Sequence, residues 1–185
     1  MTDIKPIQTH YKGYHFRSRL EARWAVFFDA LGLQWEYEPE GFDIPHVGQY
    51  LPDFWLPKLN EVGVWAEIKP SGSLEMAKAV ALARHTKTDV LFLNGMSDYR
   101  AYKMFSPIGH SEDHYIDGLV LFHPKYLPGG LNGDEYRIYK EYGDKWCQSD
   151  INGLLTHYGR STAVTDAVVA SRSARFEHGQ SGATL

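Results

Sequence analysis

The chain is short of cysteine, of long apolar runs and of positive charge. A single cysteine, Cys147, in 185 residues excludes an internal disulfide and a cysteine-rich zinc site, and it fits a reducing compartment. No apolar stretch approaches the roughly 20 residues needed to span a bilayer. The polar start MTDIKPIQTH lacks the apolar core of a signal peptide. The expectation is a cytoplasmic protein that does not engage a membrane. The formal net charge of -4 argues against a chain that is basic throughout, the usual means of neutralising phosphate. Internal repeats and low-complexity tracts are also missing, which leaves an ordinary folded domain.

What is present is a core-forming composition, 43% hydrophobic and 23% charged, enough for one domain with an appendage. The charge is unevenly placed. Between Lys5 and Arg23 the bases Lys5, Lys12, Arg17, Arg19 and Arg23 face one acid, Glu21, while from Glu112 to Asp150 acids outnumber bases. A basic N-terminal region can meet a polyanion while the acidic part faces elsewhere.

Taken in order, residues 1–17 form an arm and a short extended piece, YKGYHF, turned at Gly13. Ser18 caps a helix whose apolar positions Leu20, Trp24, Phe27, Phe28 and Leu31 follow helical spacing, with Gly32 as its C-terminal stop. Ser18 and Glu21 match a Ser-x-x-Glu capping box, a wholly structural use for Glu21. Gln34–Glu38 and Gly41–Ile44 read as one broken strand or two short ones, with Trp35 and Tyr37 on one face and Glu36 and Glu38 on the other; Pro45–Gln49 read as a turn. After Pro70, a helix is expected from Ser73 to about His85, with Leu74, Ala77, Val80 and Ala81 on its apolar face. Asp89–Asn94 follows as a strand buried on both faces. Ile116–Phe122 and Glu135–Glu141 suggest further strands, and residues 162–178 a C-terminal helix. His110, His114 and His123 are not read as a metal site: the first two lie in a polar loop without carboxylate or cysteine partners at recognisable spacing and are assigned to solvent. Trp146 and Cys147 are assigned to core or interface.

The stretch LPDFWLPKLNEVGVWAEIKP, Leu51 to Pro70, carries the chemistry. In two short strands Asp53 and Trp55 share a face, as do Trp65, Glu67 and Lys69. A turn over Pro57–Gly63 pairs the strands and lays Asp53 beside Glu67. Two carboxylates suit a hard divalent cation, which takes one or two carboxylates, waters and phosphate oxygens. A lysine on the same face can hold or activate the attacking water. The same three residues also suit a plain hairpin with a solvated ion pair.

Glu21 on the first helix, Pro52-Asp53 on a strand and Glu67-Ile68-Lys69 on the next, in this order, resemble the PD-(D/E)XK nuclease superfamily. Within it, FRSRLEARWAVFFDALGLQWEYE, YLPDFWLP and VWAEIK look most like the phage endonuclease I type of Holliday-junction resolvase. The likeness covers Phe16 to Pro70 and continues weakly to Asn94. It implies an α/β fold with a restriction-endonuclease-like core (helix, three strands, helix, strand), a mixed central sheet flanked by helices, and a C-terminal extension. The expected division is a nuclease core over 1–95, further strands and loops of the same domain over 96–160, and a helix and tail over 161–185. By that resemblance Asp53 and Glu67 ligate Mg2+ or Mn2+ with the Ile68 carbonyl and with Glu21, directly or through water. Lys69 orients or activates the nucleophile, and Glu36 is an additional site carboxylate, although a solvated strand glutamate explains it equally. Lys12, Arg17, Arg19 and Lys78 are the DNA-binding candidates. The implied partner is DNA, branched or otherwise, with a homodimer because a junction needs two cuts, in a bacterial or phage-infected cytoplasm. Pro70 departs from the glycine frequent after the lysine, and the second helix lacks the glutamine-and-tyrosine signature of the exonuclease branch. Two alternatives stay open: a non-catalytic DNA-binding or assembly module, and a transposase-like nuclease subunit that needs a partner.

Overall fold

The computed structural model describes residues 7–57, 62–73, 75–96, 102–107, 116–122, 138–142 and 162–176. It is a mixed α/β structure. The hairpin β1 (Thr9–Tyr11) and β2 (Tyr14–Phe16) precedes α1 (Arg19–Ala30) and β3 (Glu36–Tyr37); a second hairpin, β4 (Phe42–Ile44) and β5 (Gly48–Tyr50), leads to β6 (Phe54–Leu56) and β7 (Val64–Lys69). Then come α2 (Ala77–Thr86), β8 (Asp89–Asn94), β9 (Tyr102–Ser106), β10 (Ile116–Phe122), β11 (Ile138–Tyr142) and α3 (Thr162–Ser173). Seven strands form one sheet in the order β11-β10-β9-β8-β7-β6-β3. Only β7 and β8 pair in parallel, joined through α2; the other neighbours are antiparallel. Among the described residues no helix is long and apolar enough to cross a membrane.

The first helix begins and ends where its sequence dictates. Ser18 is extended and its hydroxyl accepts the Glu21 N–H at 3.2 Å. At the other end Gly32, at φ +68°, donates to the Asp29 carbonyl while Leu33 donates to Phe28, the paired bonds of a Schellman stop that glycine reaches without strain. Trp24, Phe27 and Phe28 are buried from this helix, and α3 adds Ala167 and Val168 to the same cluster.

The strands sort their side chains by the period of two. Phe54, Ala66, Ile68, Leu91 and Leu93 face the α1 and α3 side. Trp65, Val90 and Phe92 face α2 and the β4–β5 hairpin with Tyr50, Ala79 and Leu82. Asp53 and Glu67 therefore point to the α2 side, at the end of the sheet where β7 finishes. In open α/β sheets the ends of parallel strands are where ligands gather.

Several elements differ from the sequence-based expectation. The second helix starts at Ala77, not Ser73; Ser73 instead accepts the Glu75 N–H at a long 3.4 Å, and no side chain caps the helix. Its buried positions are Ala79, Leu82 and Ala83, while Ala77 is exposed, because alanines on every side give the pattern no unique phase. The expected turn over Pro45–Gln49 is narrower, and Gly48–Tyr50 is a strand. Strand β9 was not foreseen, and β11, Ile138–Tyr142, runs one residue past the expected end at Glu141, while the expected start at Glu135 lies outside the described residues. The C-terminal helix stops at Ser173. The assignments of Leu74, His110, His114, His123, Trp146 and Cys147, and the middle of the Pro57–Gly63 turn, lie outside the described residues.

Gly63 fixes how the chain re-enters the sheet. It sits at φ +82°, and a Cβ there would lie 2.2 Å from the Trp55 ring, which itself packs at a tilt against Trp65, 4.7 Å between centroids. Gly63→Ala should therefore cost about 2–4 kcal/mol from the left-handed backbone and the overlap together. Denaturant unfolding should show a lower midpoint with an unchanged slope.

Candidate active site

The site is assembled by the pairing of β6 and β7. Their register sets Phe54 opposite Ala66, so Asp53, one residue before, and Glu67, one residue after, stand side by side. Both are buried, at 5% and 4% exposure. The four oxygens are held differently. Asp53 Oδ2 accepts the Ile68 N–H at 2.7 Å and Oδ1 accepts the Arg17 guanidinium at 3.0 Å. Glu67 Oε2 accepts the Tyr50 hydroxyl, and Oε1 accepts the Lys69 ammonium at 2.5 Å.

Burial raises the pKa of Asp53 well above the usual carboxylate range, and the charge of Glu67 raises it further, against the opposing Ile68 N–H. Burial opposes the charge on Lys69, yet Glu67 outweighs it and keeps the ammonium above its ordinary value. Burial, then the charge and hydrogen bond of Glu67, hold the Tyr50 hydroxyl well above the phenol range. Lys69 is thus a stable cation and Tyr50 a stable donor. Lys69 in this state suits orienting a water and balancing negative charge better than accepting a proton.

Glu21 lies within electrostatic reach, since its charge adds to the rise in Asp53. Its oxygens are engaged on the α1 side: Oε1 accepts the Ser18 hydroxyl at 2.6 Å, and Oε2 accepts the Tyr37 hydroxyl at 2.6 Å and the Arg17 N–H at 3.1 Å. Its structural use and its expected use at the site thus compete for one carboxylate. Glu36 is exposed and pairs in register with Trp55, one pleat away from Asp53. Glu38 takes the position opposite Asp53, donating its N–H to the Asp53 carbonyl at 3.0 Å, and its side chain binds the Arg17 guanidinium at 2.5 Å.

Among the DNA-binding candidates, Arg17 faces the carboxylates and Lys78 is exposed with its Nζ 5.9 Å from the Tyr50 ring centre, at the rim of the site. Lys12 pairs with Asp29 near the opposite end of α1, and Arg19 is half-buried on the first turn of α1. Sequence reasoning missed Tyr50 and Glu38. The aromatic ending of GQY was the available signal for the former; the two-residue period from Glu36 was the signal for the latter.

Among the described residues no three His, Cys, Asp or Glu side chains cluster as a metal cage. Magnesium does not require one, since one or two carboxylates with water and phosphate suffice. Asp53 and Glu67 fit that demand: two buried carboxylates stand side by side, and the charge of one raises the pKa of the other. No protein-family model, curated protein or solved structure matches this chain.

The Tyr50 contact yields a direct expectation. Tyr50→Phe leaves Glu67 Oε2 without its donor; if Glu67 holds a metal, as the resemblance implies, any cleavage that depends on that metal should slow by roughly 10-fold, the scale for a residue that orients a ligand. Single-turnover rates would show it, with the circular dichroism spectrum unchanged.

Proposed function

We propose that this chain is a metal-dependent endodeoxyribonuclease with a restriction-endonuclease-like core formed by α1, β3, β6, β7, α2 and β8. The observation that carries this is the β6–β7 register, which sets two buried carboxylates side by side with an ammonium on one of them. The resemblance of the Glu21, Pro52-Asp53 and Glu67-Ile68-Lys69 order to PD-(D/E)XK nucleases supplies the reaction, and the likeness to junction resolvases supplies DNA as substrate, a branched one first, cut by a pair of subunits.

In this reading Asp53, Glu67 and the Ile68 carbonyl hold Mg2+ or Mn2+, with Glu21 contributing from the helix end. The ion, when bound, draws charge from the phosphate and lowers the pKa of water. Tyr50 fixes Glu67 in one orientation. Lys69 orients the attacking water toward phosphorus and balances the charge that grows on the phosphoryl oxygens. Lys78 and Arg17 meet the backbone phosphates.

The test is a panel of four-way junction, linear duplex, single-stranded DNA and RNA, incubated with Mg2+ or Mn2+ and either wild type or Asp53→Asn. Cutting by wild type alone is the expected result. DNA binding in Ca2+ without cleavage in any divalent ion would favour the non-catalytic module. Cleavage that appears only when a second subunit is added would favour the transposase-like arrangement.

A further inference from the structure

Arg17 spans the edge of the sheet. Its backbone N–H is anchored on the α1 side by Glu21 Oε2 and Tyr37. Its guanidinium lies where β3 ends and β6 begins, 3.0 Å from Asp53 and 2.5 Å from Glu38. The side chain is 55% exposed, over an Asp53 side chain that is 7% exposed.

The division of the four carboxylate oxygens gives this contact its meaning. Asp53 Oδ2 and Glu67 Oε2 are held by donors the fold fixes in place, a strand N–H and a buried tyrosine. Asp53 Oδ1 and Glu67 Oε1 are held by the two flexible cations, Arg17 and Lys69. The fixed donors orient the carboxylates; the flexible cations cover the oxygens that an incoming ion must take.

Resting on the nuclease reading, we infer that Arg17 is the internal counter-cation of the site: a divalent ion entering at Asp53 displaces its guanidinium, which Glu38 retains at the rim to bind a DNA phosphate. Metal and DNA are then coupled through one residue. Without metal the guanidinium is engaged by Asp53 and Glu38 and offers DNA little; with metal a guanidinium fork, suited to bidentate phosphate contact, turns outward beside Lys78. Glu38, opposite Asp53 in register, keeps the fork within reach after release.

The experiment is a Mn2+ titration of DNA-free protein, with free Mn2+ read by electron paramagnetic resonance, for wild type, Arg17→Gln, Arg17→Lys and Asp53→Asn. Fluorescence anisotropy of a labelled duplex, with and without Ca2+, accompanies it. Arg17→Gln removes a competitor for Asp53, so Mn2+ should bind on the order of 3- to 10-fold more tightly, a modest gain because the guanidinium is largely exposed. The Ca2+-induced rise in DNA affinity should disappear in this variant and partly return in Arg17→Lys. The helix cap uses only the Arg17 backbone, so melting curves should show the variant folded. Mn2+ binding that Asp53→Asn abolishes but Arg17→Gln leaves unchanged or weakens would overturn the counter-cation role and leave the nuclease reading intact. Failure of wild type and Arg17→Gln alike to bind Mn2+ would overturn both.

Discussion

Asp53→Asn should abolish metal-dependent cleavage and, in the same protein, raise the melting temperature measured in EDTA at neutral pH. The loss of cleavage should be at least about 10³-fold, since a neutral amide neither draws a divalent ion nor supplies its charge at the reacting phosphate. The gain in stability has a separate cause. Burial and the neighbouring charge of Glu67 disfavour an ionised Asp53 even with Arg17 at 3.0 Å. Asparagine keeps an oxygen for the Ile68 N–H and sheds the charge, and Arg17 retains Glu38.

The pH dependence follows from the direction of that shift. The folded-state pKa of Asp53 lies above the ordinary value of 3.8, so its protonated form favours the fold. That stabilisation is complete below the unfolded pKa and is lost as pH rises through the folded one. Asparagine does not titrate. The melting-temperature gap between Asp53→Asn and wild type should therefore open as pH climbs from about 4 and level off once Asp53 is ionised in the fold. Adding Mg2+ at neutral pH should stabilise wild type and not the variant, because only the form that binds gains by mass action. A variant that cut DNA at the wild-type rate would remove Asp53 from the chemistry. One that melted below wild type in EDTA at neutral pH would show that the site carries no electrostatic strain.

Much of the architecture could be read from side-chain chemistry that acts locally. Ser18 and Gly32 delimit the first helix because a hydroxyl cap and a left-handed stop are decided within a few residues. Asp53 and Glu67 meet because strand alternation and one turn settle their register. The unbroken DVLFLN run announces a strand covered on both sides, and Leu91, Leu93 and Val90, Phe92 do enter opposite clusters. What escaped depends on longer-range packing. Three residues, GQY, are too few to show a period, so β5 passed for a turn and Tyr50 was lost from the site. Glu36 and Glu38 share a face, and only the pairing of β3 with β6 decides which one faces Asp53. Arg17 sits in a basic stretch, where charge alone suggests a phosphate; its guanidinium instead meets Asp53 and Glu38, which only the pairing of β3 with β6 brings together.

Lys69→Met should slow cleavage by roughly 10²–10⁴-fold, the range for a positioned proton-transfer or charge-balancing group, while shifting stability in the direction opposite to Asp53→Asn. Methionine preserves the apolar stem in a side chain that is 26% exposed, but it leaves Glu67 Oε1 without its ammonium beside a second carboxylate. That should cost the metal-free protein about 1–3 kcal/mol, less than a fully buried pair because Tyr50 still donates to the other oxygen. The Lys69 pKa is raised above its ordinary 10.5, so, wherever the partner carboxylate is charged, the pairing stabilises the fold below that value and is lost as pH rises through the folded pKa. The deficit should accordingly stay flat from weakly acidic to weakly alkaline pH, where the Asp53→Asn gap changes. Lys69→Arg, which keeps the charge but presents a broad fork in place of a compact point, should restore most of the stability and little of the rate. An ordinary hairpin ion pair predicts small stability effects for both positions and no catalytic loss. Two inactive variants with opposite stability shifts and different pH profiles are expected only where two buried carboxylates are set side by side for a cation and a lysine is placed to act on what that cation binds. If Lys69→Met cut DNA within a few-fold of wild type, the ammonium would have no part in the reaction.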